Sequence, residues 1–575
     1  MLLRGALFLA LSIWVLGAAA LAQRDKPTFL DRACPFFMQK LAGARDADIN
    51  CGILRTPENR KAQDAAIQLE LFVVRISAGK ETTNAPIVYL EGGPGGAGSA
   101  AFADWLDSSF QPDYDIILVD QRGSGLSLPS LNCYESNAAA DGADAEWIRA
   151  CRERLTRAGV DLSAYHSASN AHDIHDLLAA LEIPQANIYG KSYGTRLGLT
   201  LARDFPQRLR SLMIDAVFPP QVAALETQPL FAHRALERLF VDCEQDPSCR
   251  RAYPNLRESF YTAIANMNAA PARIEDAELD ALIETTGDDF VKQVVASLYD
   301  RALLPYLPAL IAAFAEGDYE FDPRAEAESL AQDDARYADS MEAVEFDLAA
   351  LEYLNLGSME EVYAHFDSLR EDARDRLIGE ISDAMQYAPY RDYLELASIE
   401  AAIAYLDKLD ESAKLHLEAE VTGQYDSDSE GLYFSIQCAE EIHFNSAAAV
   451  EARLADLPAA LRAPLLDDAI FNFAACEFWD VPSRGEREDQ PVESDIPTLV
   501  FSGAYDPITP PDWGEAAAKY LANSWHFVFP NAGHGALLSG PCADSIALSF
   551  LTDPTRRPED ACMEDLTSPD FYIRP

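Results

Sequence analysis

The chain has 575 residues, of which 49% are apolar and 24% charged, an ordinary make-up for a folded globular protein and not for a disordered, collagenous or polytopic membrane chain. Length alone predicts about two to four structural units. The chain carries 94 acidic against 45 basic residues, a formal net charge of −49, so phosphate backbones and anionic lipid surfaces repel it and neither is an expected partner.

The first residues read as an address. Arg4 is the basic start, Ala6 to Leu16 form an apolar core, and Ala20-Leu21-Ala22 place small residues at a cleavage site. This predicts a secretory signal peptide over residues 1–22, cut after Ala22, and a secreted or periplasmic protein with no membrane attachment once mature. An uncleaved N-terminal anchor is the alternative. The ten cysteines agree with export: Cys34, Cys51, Cys133, Cys151, Cys243, Cys249, Cys438, Cys476, Cys542 and Cys562. An even number in an oxidising compartment favours disulfides. Counting leaves the connectivity open, but pairing of sequence neighbours is expected because each bridge then closes a short loop. No C-x-x-C occurs, which disfavours zinc, and no metal or cofactor is expected.

Beyond the leader, Ile67, Leu69, Leu71 and Val73 alternate with the period of a strand. Pro86 to Leu90 and Ile116 to Val119 are short continuous apolar runs, the pattern of strands buried on both faces of a parallel sheet. Ile174, Leu177, Leu178 and Leu181 recur at helical spacing over 169–182, with Ser169 as the candidate cap. Asn187 to Tyr189 and Leu212 to Ile214 read as strands, with a helix over Leu199 to Phe205 between them. This alternation argues an α/β sheet with crossover helices. After Pro219-Pro220 the pattern turns helical until about residue 480, and strand runs return at Pro497 to Phe501 and His526 to Phe529. The predicted organisation is an α/β core in two parts, residues 23–220 and 486–575, interrupted by a helical lid over 221–485. Within it, residues 311–420 hold 29 acidic and 8 basic residues, read as a solvated acidic face.

Gly190-Lys191-Ser192-Tyr193-Gly194 is a G-x-S-x-G pentapeptide between a strand and a helix, the setting of a nucleophile elbow. Ser192 is the candidate nucleophile, and the Tyr193 N–H at the helix start is placed to receive an oxyanion. A serine hydroxyl needs a base. His534 fits, directly after the last strand, with Asp506 after the preceding strand as the acid that orients it. Asp120 is a rival acid whose position suits a structural turn better. The Gly-rich turn from Glu91 to Gly98 formally matches G-x-G-x-x-G, and Asp120 lies at a suitable distance for a ribose contact, so a dinucleotide site is a competing reading. That reading leaves Ser192, Asp506 and His534 without a role. The alternative makes this turn the second oxyanion donor through Gly93, because Pro94 has no N–H.

The runs Glu91-Gly92-Gly93-Pro94-Gly95-Gly96, Asp120-Gln121-Arg122-Gly123-Ser124-Gly125, Gly190-Lys191-Ser192-Tyr193-Gly194-Thr195, Gly503-Ala504-Tyr505-Asp506-Pro507 and Gly533-His534-Gly535 occur in that order. Together they resemble the α/β-hydrolase peptidases of the prolyl aminopeptidase and tripeptidyl aminopeptidase group. The Cys-containing tail after the histidine is similar to that of exported tripeptidyl aminopeptidases. The resemblance implies an α/β-hydrolase fold with Ser192, Asp506 and His534 as catalytic residues and Gly93 and Tyr193 as oxyanion donors. Glu91 stands where many prolyl aminopeptidases carry His, and Lys191 where a small residue is usual. In this family lid carboxylates bind the substrate's α-ammonium group. Ile436-Gln437-Cys438-Ala439-Glu440-Glu441 looks similar to that lid motif, which makes Glu440 and Glu441 the candidate substrate-binding residues. The expected activity is a secreted serine exopeptidase that releases N-terminal residues or tripeptides from short peptides with a free N-terminus. A carboxylesterase with the same triad and a non-catalytic binding protein on a hydrolase fold are the alternatives.

Overall fold

A computed structural model describes residues 27–61, 67–135, 146–276, 281–321 and 428–574. The predicted leader, 1–22, and most of the acidic stretch over 311–420 lie outside these residues.

The strands are β1 (Thr28–Arg32), β2 (Ile49–Pro57), β3 (Gln68–Ile76), β4 (Ile87–Leu90), β5 (Ile116–Val119), β6 (Ala186–Lys191), β7 (Leu209–Asp215), β8 (Ala272–Asp276), β9 (Ala281–Thr285), β10 (Thr498–Gly503) and β11 (Ser524–Phe529). Nine of them form one sheet in the order β1-β2-β3-β5-β4-β6-β7-β10-β11. From β5 to β11 all neighbours are parallel, while β1, β2 and β3 pair antiparallel with each other and with β5. The apolar runs read from sequence are the inner strands: all four residues of β4 and of β5 are buried. Alternate side chains serve opposite faces. Val88, Ile117, Ile188, Leu212 and Val500 pack with the helices Ser167–Ala180 and Tyr193–Asp204. Tyr89, Leu118, Tyr189, Met213 and Phe501 pack with the helix Pro541–Thr552 on the other side.

Four strands are not in the sequence reading, β1, β2, β8 and β9, and of these β2 is largely buried. β1 is TFLDR with no buried residue, and β8 and β9 form a separate hairpin within the stretch read as helical. The helix expected over 169–182 starts earlier, at Ser167, and its cap is the His166 side chain accepting the Ser169 N–H, not Ser169 itself. Between β7 and β10 the helices surround their own core, with Leu236, Phe260, Phe290 and Leu310 fully buried.

All ten cysteines pair with their sequence neighbours: Cys34–Cys51, Cys133–Cys151, Cys243–Cys249, Cys438–Cys476 and Cys542–Cys562. The loops closed are short, from 6 to 38 residues in separation, and each bridge contributes about 2–4 kcal/mol by restricting the unfolded chain. Among the described residues no helix is long and apolar enough to cross a membrane.

The chain order explains where a site can open. From β4 the chain adds β5 on one side and then β6 on the other. Loops leaving the C-terminal ends of β4 and β6 therefore run in opposite directions and leave a crevice between them. Glu91 follows β4 and Ser192 follows β6.

Candidate active site

Ser192 occupies the one-residue turn between β6 and the helix Tyr193–Asp204, with φ 56° and ψ −125°. A positive φ is strained for a residue with a side chain and persists only where the surroundings enforce it. Here both flanking glycines are required. A Cβ on Gly190 would strike the Gly194 carbonyl, and one on Gly194 would strike the Leu90 carbonyl. The turn is held by the Ser192 N–H donating to the Asp215 carbonyl at 2.9 Å. The Ser192 side chain caps no backbone group of its helix, so the hydroxyl is left for other work.

Asp506 follows β10 and is buried. Its Oδ1 accepts the N–H groups of Ile508 and Thr509, both at 2.9 Å, an Asx turn that aims the other oxygen. Oδ2 accepts the Thr509 hydroxyl at 2.7 Å and lies 2.9 Å from His534 Nδ1. Neither side chain is exposed to solvent. The imidazole is fixed from a further direction: Tyr299 stacks on it with ring centroids 4.1 Å apart, and the Tyr299 carbonyl accepts the His534 N–H at 2.7 Å. Gly533 allows that approach, since a Cβ there would collide with the Leu298 and Tyr299 carbonyls. With Nδ1 facing the carboxylate, Nε2 is the acceptor, and it has no hydrogen-bond partner among the described residues.

No hydrogen bond joins Ser192 Oγ to His534 Nε2 among the described residues; such bonds commonly tighten only when substrate is bound. The two turns are nevertheless tied together by one residue. Asp215 accepts the Ser192 N–H on its carbonyl and the Ala536 and Leu537 N–H groups on Oδ2, both at 2.8 Å. Burial pushes its carboxyl up from the ordinary range, and the two amides oppose that rise.

The Gly-rich turn closes over the nucleophile. A Cβ on Gly92 would lie 2.8 Å from Ser192 Cβ and 3.3 Å from Oγ. Gly93 has φ 103°, and its N–H meets no protein acceptor among the described residues. Glu91 braces the turn, accepting Tyr89 OH at 2.6 Å and the Gly92 N–H at 2.7 Å. The segment after residue 427 covers the loop: Ser429 N–H donates to the Gly95 carbonyl at 3.0 Å, and Asp428 bridges to Gly96. Together they enclose a cavity of about 840 Å³ lined by the Gly-rich turn, Lys191, Ser192, Gln228, Tyr299, the acids Asp428 and Glu430, and the aromatic residues Tyr433, Phe434 and Phe471. Burial raises the Asp428 carboxyl.

Glu440 and Glu441, the candidate substrate-binding residues, are buried in the fold. They sit in a π-helical turn, Gln437–Glu441, each 1% exposed, and neither lines the cavity. Glu440 accepts the Ser167 N–H and hydroxyl at 2.7 Å and pairs with Arg196 Nε at 3.1 Å, and Glu441 pairs with Arg196 Nη1. One buried guanidinium on the elbow helix faces both acids, and Glu441 Oε2 is left with no hydrogen-bond partner among the described residues. Burial raises the Glu441 carboxyl to about 7, against the pull of Arg196 and with a push from Glu440. Asp120 is the structural turn expected: its carboxylate accepts Ser99 N–H, Ser99 OH and Leu126 N–H at 2.7–2.8 Å with no surface exposed. Two contributors carried no local signal, and a third did. Tyr299 and Asp215 reach the imidazole turn from distant sequence, while the Asp506-to-Thr509 spacing is a legible Asx turn.

Residues 85–336 match the family described as alpha/beta hydrolase fold, and residues 464–562 match the one described as TAP-like protein. Tripeptidyl aminopeptidase of Streptomyces coelicolor is 29% identical over 199 residues, 30% of this chain and 36% of that protein. Serine protease Hip1 of Mycobacterium tuberculosis is 26% identical over 225 residues, 35% of this chain and 42% of that protein. Proline iminopeptidase of Arabidopsis thaliana is 29% identical over 133 residues, 23% of this chain and 27% of that protein. The chain thus spans about half or less of the length of the curated relatives it matches. With the order of the sheet strands, these matches show an α/β-hydrolase fold, with a C-terminal stretch similar to the TAP-like family.

Proposed function

We propose that this chain is an exported serine hydrolase that removes N-terminal residues from short peptides through an acyl-enzyme. The observation that carries this reading is the buried Asp506–His534 pair, 2.9 Å apart, with its outer nitrogen unpartnered among the described residues beside the strained Ser192 turn. In the proposed reaction Ser192 Oγ bonds to the scissile carbonyl carbon while His534 Nε2 takes the hydroxyl proton. Asp506 holds the Nδ1–H tautomer and stabilises the imidazolium. The oxyanion lies between the N–H groups of Gly93 and Tyr193, each such donor worth about 10²–10³ in rate. Collapse breaks the C–N bond as His534 gives its proton to the leaving amine. Water then repeats the cycle on the acyl ester.

Peptide substrates are supported by the names of the relatives, two aminopeptidases or iminopeptidases and a serine protease. A free N-terminus is supported by three carboxylates in the cavity wall, Glu91, Asp428 and Glu430. We read residues 221–485 as the lid, whose cover over the Gly-rich turn favours short chains over folded proteins. Export is supported by five disulfides. The test is a fluorophosphonate label followed by a substrate panel. Labelling at Ser192, and hydrolysis of tripeptidyl or prolyl substrates that stops when the N-terminus is acetylated, is the expected result. Equal rates on blocked peptides remove the exopeptidase reading, and turnover of acyl esters alone makes the protein an esterase.

A further inference from the structure

Lys191 is the residue the proposed chemistry does not use. It precedes the nucleophile, is half-buried, and forms part of the cavity wall. Its stem lies against the turn that carries the imidazole: a Cβ on Gly535 would fall 2.9 Å from Lys191 Cε and 3.6 Å from Nζ. The ammonium therefore stands on the His534 side of Ser192. It has no ion pair or hydrogen bond among the described residues. Asp215, whose carboxylate shares its field without a hydrogen bond to it, spends Oδ2 on two backbone amides and leaves Oδ1 without a hydrogen-bond partner among the described residues. The acids Asp428 and Glu430 enter the same cavity from the segment that covers the Gly-rich turn. The cavity thus carries acids on the covering segment and at Glu91 on the Gly-rich turn, and one ammonium beside the imidazole turn.

That side has a chemical meaning. His534 protonates the departing amine in the proposed cycle, so the leaving half of the peptide lies next to it. We infer that Lys191 determines specificity by receiving a carboxylate carried by the first residue of the leaving group. This rests on the serine-peptidase reading above. The carboxylate is either the free C-terminus of a peptide that ends at that residue or the side chain of Asp or Glu there. An ammonium without another partner gains a charge-assisted contact with such a group and none with an amide.

Two matched peptide pairs test it: free acid against C-terminal amide at the first leaving residue, and Glu against Gln there with the end amidated. The wild-type enzyme is expected to favour the charged member of at least one pair by about tenfold or more in kcat/KM, chiefly through KM. The pair that shows the preference identifies the source of the carboxylate. Lys191→Met brings the ratio close to one, Lys191→Glu inverts it, and Lys191→Arg keeps it. A wild-type ratio near one in both pairs, or a preference that survives Lys191→Met, overturns the inference. Calorimetric binding of the same peptides to Ser192→Ala and to Ser192→Ala/Lys191→Met reads the ratio without turnover. Charge-selective binding lost with Lys191, in a protein whose wild type cleaves no peptide, refutes the peptidase reading and leaves the carboxylate site standing. Equal binding of acid and amide refutes the site whatever the enzyme cleaves.

Discussion

Two groups of buried carboxylates flank the elbow helix, and they are built to opposite ends. At Asp506 one acid accepts two backbone N–H groups and a threonine hydroxyl, then faces one imidazole whose far nitrogen meets no protein group among the described residues. At Glu440 and Glu441 two acids converge on one guanidinium, Arg196, which is itself buried and stacks over Phe218 at 5.2 Å. The first arrangement points outward: the carboxylate is held on every side and the far ring nitrogen is left open, as the proposed reaction needs. The second points inward, clamping the turn Gln437–Glu441 to the helix that begins at Tyr193. A buried acid is therefore not by itself a sign of chemistry. Each group leaves one atom without a partner among the described residues, His534 Nε2 and Glu441 Oε2; they differ in place, since Tyr299, which stacks on the imidazole, lines the cavity and Arg196 does not.

This contrast breaks if either group behaves like the other. Ser192→Ala carries the largest expected effect, a loss of about 10⁴-fold or more in kcat/KM together with the fluorophosphonate label, at an unchanged unfolding midpoint. Asp506→Asn follows, with kcat lower by about 10³–10⁴ because the imidazole loses the acceptor that fixes its tautomer. Steady-state rates and urea melts measured side by side check both, and a variant that loses stability instead of rate refutes the outward role. Arg196→Met should do the reverse. It leaves two carboxylates buried without their cation, a loss of about 3–5 kcal/mol, while the fraction that remains folded still labels at Ser192. A melt matching wild type would show that the inward pair holds nothing together.

The same contrast marks what could be read from sequence. Ser192, Asp506 and His534 each sit in a turn with its own local signature, because a strained elbow demands glycines and an oriented acid demands an Asx turn. The inner strands β4 and β5 were legible for a similar reason: burial on both faces leaves an unbroken apolar run. β1 was not, since an edge strand with no buried residue shows no pattern. Glu440 and Glu441 had a motif but no visible partner. Arg196 lies more than 240 residues away, and only the folded chain shows that it contacts both acids. Tyr299 and Asp215 were invisible for the same cause, acting on the imidazole turn through contacts that no spacing reveals.

The smallest effect separates the two groups by pH. Burial holds the Glu441 carboxyl at about 7 in the folded chain, against an ordinary value of 4.5. Between those values the folded protein keeps a proton that the unfolded chain has released, so stability contributed by this group is full below 4.5 and falls as pH rises towards 7. Glu441→Gln cannot titrate. The difference in melting temperature, wild type minus variant, should therefore shrink by on the order of a few degrees as pH rises through that window, and then stay level. A constant difference would mean that the Glu441 carboxyl ionises in the folded chain as it does in the unfolded one. The inward cluster would then be two full ion pairs on one cation, and its likeness to the single pair at Asp506 would be closer than its geometry suggests.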